Sequence, residues 1–328
     1  MKVGTIEHLD LPVTMWEPHQ APAWNHNPTI TRDDKDNVWI GVRHHDLLPL
    51  TVHLDPDNPN ANEASRFMVG KLNEKTLEVS DLKLILPEPG SPEFLVKHNT
   101  EDVRIFWRYD GLHGIGVIFT PQGITQGEIL INYDQGTYKL LQDYGQPYKH
   151  TEKNWSPPTT TTEAFDFIYS MTEVVKYGRP RKSEVIYKGE IHGGSQLLPY
   201  KEGWISIAHR VTPVVGLTWR WYLTVARLHD YNGKVTHISQ FFDFGTGWRE
   251  NLQESVEYVS GAVWAEKDKE LLLSLGVRDE TCGFVRLPIS ALKWQEPGGY
   301  YHKFELDNSL KKIVKDHAGQ KPYQGFLL

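Results

Sequence analysis

Asp102 follows a second acid, Glu101, and precedes Arg104 by two residues in the stretch Glu101-Asp102-Val103-Arg104. A like charge pushes a carboxyl pKa up and a nearby cation pulls it down, so such a group is placed to give or take one proton. Cationic or cationisable residues recur in or beside the short polar motifs: Arg43, Arg104, Lys153, His209 and Arg278. Arg binds phosphate through a planar fork and Lys as a point charge. If these side chains meet, they form a site for a phosphate, a sugar phosphate or a nucleotide-sugar diphosphate. His192-Gly193-Gly194-Ser195-Gln196 is a small-residue turn before a strand. Its glycines permit close approach of backbone to a ligand, and Ser195 and Gln196 carry polar groups for sugar hydroxyls or phosphate. Asn154 beside Lys153, and Asp279 beside Arg278, are further polar candidates. Trp24 and Trp155 lie at motif positions, where an indole face can carry a pyranose ring. Taken singly, each of these residues also has an ordinary reading as a surface ion pair, a turn or core packing.

These residues need elements that bring them to one place, and the pattern is almost entirely β. Alternating, β-branched and aromatic runs occur at 37–43, 102–110, 128–134, 137–144, 164–170 and 183–189. Three longer hairpins follow, with tips at Lys201-Glu202-Gly203, Tyr231-Asn232-Gly233 and Glu266–Lys269. The best helix is 309–317, with Asn308 as the expected N-cap and Gly319 beyond its end. Residues 55–65 and the Ser-Pro-Pro-Thr run at 156–162 read as solvated loops.

A polar motif leads into a strand, a hairpin and another strand, with starts near 26, 98, 152, 192 and 257. This spacing suits propeller blades with variable loops. The expected architecture is a single all-β domain over 1–328, a five-bladed β-propeller with a short C-terminal helix in a tail from 295. A pair of β-sandwiches is the alternative. Blade starts of a propeller converge on its central channel, which is where the candidate residues fall.

The motifs, in their order along the chain, resemble those of glycoside hydrolase family 130 and the related mannosyltransferase/phosphorylases. Glu101-Asp102-Val103-Arg104 resembles E-D-x-R. Asn27-Pro28 with Arg43, His192-Gly193-Gly194 with His209, and Gly276 with Asp279 resemble the patterns of other blades. Glu152-Lys153-Asn154-Trp155 is similar to the EKNW of an uncharacterised branch. The resemblance covers about 25–290; Val103 stands where the family commonly has Pro. It implies an inverting glycosyl transfer or phosphorolysis with Asp102 as acid/base. Arg43, Arg104, Lys153, Asn154, His192, Ser195, Gln196, His209, Arg278 and Asp279 would bind the donor. The implied partners are a sugar phosphate or nucleotide sugar and a carbohydrate or glycoconjugate acceptor. Pure hydrolysis, a non-catalytic glycan-binding propeller and glycosyl transfer to modified nucleic-acid bases are the other readings.

Composition narrows these. The net charge of −7 over 328 residues offers no basic stripe for a nucleic acid. One Cys excludes a disulfide framework within the chain. No HExxH or similar spacing appears, and the adjacent His44 and His45 point to opposite faces of a regular strand. No metal or other cofactor is expected. The N-terminus lacks the apolar run of a signal peptide, and no stretch is long and apolar enough to span a bilayer, so a cytoplasmic protein is expected.

Overall fold

The computed structural model describes residues 3–16, 24–45, 65–98, 100–121, 123–145, 154–169, 173–176, 179–182, 191–215, 220–249, 254–278, 280–298, 301 and 303–317. The fold is almost wholly antiparallel β. Strands Trp24–Arg32, Val38–His45, Ser65–Leu72 and Val79–Pro87 form one meander, and Thr100–Arg108, Gly111–Thr120, Gly123–Asn132 and Thr137–Asp143 form a second. Their outer strands meet in a short parallel pairing, Thr137 with Leu86 and Tyr138 with Pro87, so the two make one eight-stranded sheet. The hairpins expected at 201–203, 231–233 and 266–269 are all present. Residues 183–189 and 170 lie outside the described residues, and of 164–169 only Phe167–Ile168 is strand.

The N-terminal segment supplies strands that the sequence pattern did not single out. Val13–Trp16 pairs antiparallel with Thr281–Pro288 and becomes the fourth strand of the sheet built from Glu257–Glu266 and Glu270–Val277. Val3–His8 lies between Phe242–Asp243 and Lys303–Leu306, parallel to both. Chain ends distant in sequence are thus pinned together. The C-terminal helix, Asn308–His317, is where the sequence placed it. Its cap is Asp307, whose Oδ1 accepts from Leu310 N at 2.8 Å while Oδ2 accepts from His8 N at 2.9 Å. Asn308 is therefore already inside the helix, and Asp307 caps it and ties it to the N-terminal strand.

Apolar faces pack from sheet to sheet in cyclic order. Phe67, Val69 and Ile85 meet Ile105, Ile118 and Ile129. Phe106 and Ile115 meet Trp155 and Phe167; Phe165 and Ile168 meet Leu197 and Trp204. Ile205, Ile207 and Ala226 meet Leu271, Leu273 and Val285, and Val263, Leu272 and Phe284 return to Ile30, Ile40 and Val42. Each fully buried aliphatic or aromatic side chain contributes ~1.5–3 kcal/mol. The Ser-Pro-Pro run was expected to be solvated, yet Ser156, Pro157 and Pro158 are buried. Ser156 bridges Ile168 and Pro158 bridges Leu197, because this stretch fills the gap between two sheets.

One polar cluster sits at the hairpin tip following Thr100–Arg108. Buried His113 has Nδ1 at 3.1 Å from Glu128 Oε1 and Nε2 at 2.8 Å from Asp110 Oδ1. Arg108 pairs with Glu128 at 3.0 Å, and Tyr144 donates to its other oxygen at 2.7 Å. Burial alone would raise the Glu128 pKa; the bonds from His113 and Tyr144 and the Arg108 charge overcome it and hold it below the usual range. Asp110 is lowered as well, with burial opposed by His113 and Arg108. A carboxyl depressed in the native state takes up protons more readily when unfolded. Its stabilisation is complete above the unfolded value of about 4 and is lost as pH falls through the native one. The melting temperature is expected to drop on acidification below about pH 4, and Glu128→Gln to flatten that drop in a thermal-melt series.

Candidate active site

The first strands of the sheets meet edge-on, and the polar motifs mark where. Two β-bulges shape the meeting point, between His26 and Thr29 and between Glu101 and Arg104. Asn27 and Asp102, at these bulges, have left-handed backbones with φ of 48° and 50°. Asn154 (69°) and Arg278 (61°) are left-handed too. Such backbone costs ~1–3 kcal/mol per residue and clusters where function needs a side chain re-aimed. Gly276 presses so closely under Asn27 that an added Cβ would lie 2.2 Å from Asn27 Oδ1, so any larger residue there would displace the Asn27 amide.

Asp102 Oδ1 accepts from Asn27 Nδ2 at 3.2 Å and from Arg43 Nη1 at 3.1 Å. Arg43 Nη2 pairs with Glu101 Oε1. Both carboxylates therefore reach one guanidinium. The expectation that neighbouring strand residues look in opposite directions does not hold here, because the bulge breaks the two-residue alternation. The Asp102 and Glu101 side chains are 17% and 21% exposed, so both remain accessible.

Arg104 goes the other way. It is 2% exposed. Its Nε donates to Gly194 O at 2.6 Å, and its Nη2 to Asn154 Oδ1 at 2.9 Å and to the Tyr258 hydroxyl. Tyr258 in turn donates to Asn154 Oδ1 at 2.9 Å. Burial lowers the Arg104 pKa to about 10, opposed by the Asp102 charge, so it stays cationic at neutral pH. It is a strut joining three motifs rather than an open cation. The ring continues through Ala262 N to Gln196 Oε1 at 3.1 Å and closes through Ser260 Oγ to Pro28 O at 2.5 Å.

The five motif starts thus converge, while several side chains expected to hold ligand are committed to the frame. Ser195 Oγ is fully buried, donating to Gln196 O at 2.8 Å and accepting from Ile207 N at 2.9 Å. Gln196 is fully buried and also bonds Ile30 O. The close approach at Gly193 and Gly194 is to the chain itself: an added Cβ would lie 2.4 Å from Asn154 O and 2.5 Å from Val259 O, respectively. Trp155 is fully buried against Tyr144 and Phe167, which leaves no face for a sugar. The corrections at Ser195, Gln196 and the two glycines share a cause, whereas Trp155 is spent on aromatic packing. Sheets that meet edge-on need polar atoms and small residues to satisfy backbone groups, and the motifs supply them.

His192 faces His209 across paired strands, with ring centroids 6.1 Å apart. His209 is buried between Tyr222, stacked at 5.9 Å, and Tyr258, edge-on at 4.9 Å, whereas His192 is half-buried. Arg278 is half-buried, its Nε donating to Thr246 O at 3.3 Å. Lys153 and Asp279 lie outside the described residues, and of Trp24 only the backbone, paired with His45, is described. Tyr258 escaped the sequence reading; its place in the last polar motif, Glu-Tyr-Val-Ser-Gly, was the available signal. Among the described residues no group of His, Cys, Asp and Glu is arranged to hold a metal ion, and no helix is long and apolar enough to cross a membrane.

No family model matches the chain. Beta-mannosyltransferase 7 of Candida albicans is 25% identical over 51% of this chain and 30% of its own length, so the chain spans less than a third of that protein. The beta-1,2-mannobiose phosphorylase of Listeria innocua, in complex with beta-1,2-mannobiose, superposes with a TM-score of 0.56. It is 13% identical, with 85% of this chain and 97% of that one covered. A mannose phosphorylase from Leishmania mexicana, in complex with a phosphate ion, gives a TM-score of 0.51 at 11% identity over 83% and 86% of the two chains. All three are carbohydrate-active enzymes by name, and with the two of known structure this chain shares its fold.

Proposed function

We propose that this protein is a five-bladed propeller enzyme that makes or breaks a glycosidic bond by inverting glycosyl transfer. The observation that carries the reading is Asp102: an accessible carboxylate on a strained bulge, at the convergence of the polar motifs, oriented by Asn27 and Arg43. In the direction of phosphorolysis Asp102 protonates the leaving glycosidic oxygen while phosphate attacks the anomeric carbon from the opposite face. In synthesis the same carboxylate takes the acceptor hydroxyl proton as that oxygen attacks the anomeric carbon and phosphate leaves a sugar 1-phosphate, or a nucleoside diphosphate leaves a nucleotide sugar. The similarity to a mannosyltransferase and to two mannoside phosphorylases supports a mannosyl group as the sugar transferred.

Arg43 stands beside the acid and is half shielded, so it serves the donor phosphate and Asp102 together. Among the described residues, His192 and Arg278 are the other half-buried cationic or cationisable groups of these motifs, and Lys153 and Asp279 complete the proposed set. Arg104 and His209 act from beneath, holding the frame and the His192 ring.

The test is to incubate the protein with mannose 1-phosphate or GDP-mannose and mannose acceptors, and to follow product and its anomeric configuration by NMR. An inverted mannoside supports the reading; no transfer from either donor class overturns it. Lys153→Ala is expected to weaken phosphate and sugar-phosphate binding about 10- to 150-fold, the value of one charge-assisted contact. Titration calorimetry on a variant with unchanged melting temperature checks this.

A further inference from the structure

Away from the central site, two alternate cross-strand pairs, Trp204 with His229 and Ser206 with Arg227, place four side chains on one face of the sheet. All four residues are buried, and Arg227 is fully so. His229 Nδ1 lies 3.1 Å from Gly233 O. A carbonyl only accepts, so Nδ1 carries the proton and Nε2 accepts from Ser206 Oγ at 3.0 Å. Ser206 Oγ in turn accepts from Arg227 Nε at 3.2 Å. Burial and the Arg227 charge hold His229 down to about 3, which keeps it neutral.

That chain leaves Arg227 Nη1, Arg227 Nη2 and Trp204 Nε1 buried with no acceptor among the described residues. All three are donors. The next residues on the same face, Ala208 and Val225, are apolar and offer no acceptor, and Ile238 opposite Arg227 is apolar too. A guanidinium is not discharged at physiological pH even when burial lowers its pKa to about 9, so Arg227 is a buried cation, and among the described residues no carboxylate pairs with it. Buried charges in folded proteins are paired. A group that satisfied these three donors and the charge would accept only and be negative.

Its size follows from access. A groove of about 400 Å³ opens outside this cluster, lined in part by Trp204, His229 and Asp230, and Arg227 is not among its lining residues. An anion carried on a larger metabolite would need a passage reaching the Nη atoms. We propose that the face formed by Trp204, Ser206, Arg227 and His229 binds a desolvated halide-sized anion, chloride in the cell, as a structural counter-ion. The proposal stands apart from the glycosyl-transfer reading and shares no residue with it.

Thermal unfolding of the full chain in chloride, bromide, sulfate and gluconate at equal ionic strength tests it. The midpoint is expected to rise by a few degrees with the logarithm of chloride or bromide concentration and to stay flat in gluconate and sulfate. Arg227→Met should abolish the dependence. Should that variant fail to fold, anomalous diffraction from a bromide-grown crystal of the parent decides the matter, with a peak expected beside the Arg227 Nη atoms. Equal midpoints in chloride and gluconate, a response to sulfate instead of halide, or no bromide peak at Arg227 would each overturn the proposal.

Discussion

Asp102→Asn is expected to give a folded protein that transfers glycosyl groups at least ~10²–10⁴-fold more slowly, the usual worth of a general acid–base group. The substitution keeps Oδ1, so Asn27 Nδ2 and Arg43 Nη1 retain their acceptor. Asn also tolerates the left-handed backbone that Asp102 adopts, so the bulge survives. What disappears is the proton-transfer group. The loss should therefore fall on kcat, with donor affinity little changed or improved by removing a negative charge near the phosphate. Glu101→Gln is the informative comparison, since Glu101 shares Arg43 with Asp102 and both are accessible. It is expected to cost less, because its oxygens are not held by a second donor from Asn27. An inactive Glu101→Gln with an active Asp102→Asn would move the acid to Glu101. Full activity in both would sink the acid–base assignment at this motif.

The second large effect belongs to Arg104. Arg104→Met keeps much of the buried volume but strips the donors from Gly194 O, Asn154 Oδ1 and the Tyr258 hydroxyl. Hydrogen bonds from a charged group are worth ~1.5–3 kcal/mol each, and acceptors left dry add to the loss. A loss of roughly 3–5 kcal/mol follows from two or more such bonds. That corresponds to a fall in melting temperature on the order of 10 °C for a chain of this size. Arg104→Lys should recover little, because a point charge on a flexible stem does not satisfy acceptors spread along a planar fork. Thermal and urea unfolding read the effect. An unchanged melting temperature combined with lost phosphate binding would instead make Arg104 a ligand-binding cation, as its type and position in the sequence first indicated.

Sequence by itself determined much of this molecule. Alternating apolar runs and Gly, Asn and Asp at the tips specified the hairpins, because turn chemistry and strand period are local properties. The terminal helix was legible for the same reason. The polar motifs were also visible as breaks in that pattern, and the structure brings all of them to one convergence. What sequence did not decide was which atoms of those motifs remain open to a ligand. Ser195, Gln196 and Trp155 look like binding residues by type, yet they are buried between sheets, since a neighbour distant in sequence closes over each of them. The alternation that should part Glu101 from Asp102 is undone by a bulge, and the geometry there depends on Asn27 and Arg43, 75 and 59 residues away from Asp102. The strand Val13–Trp16 is too short to announce itself, and it forms because Thr281–Pro288 offers it an edge. Arg227 reads as an ordinary strand arginine until its face is covered. Local pattern sets what each segment prefers to be; long-range pairing and burial set which side chains are spent on holding the sheets together and which are left for chemistry.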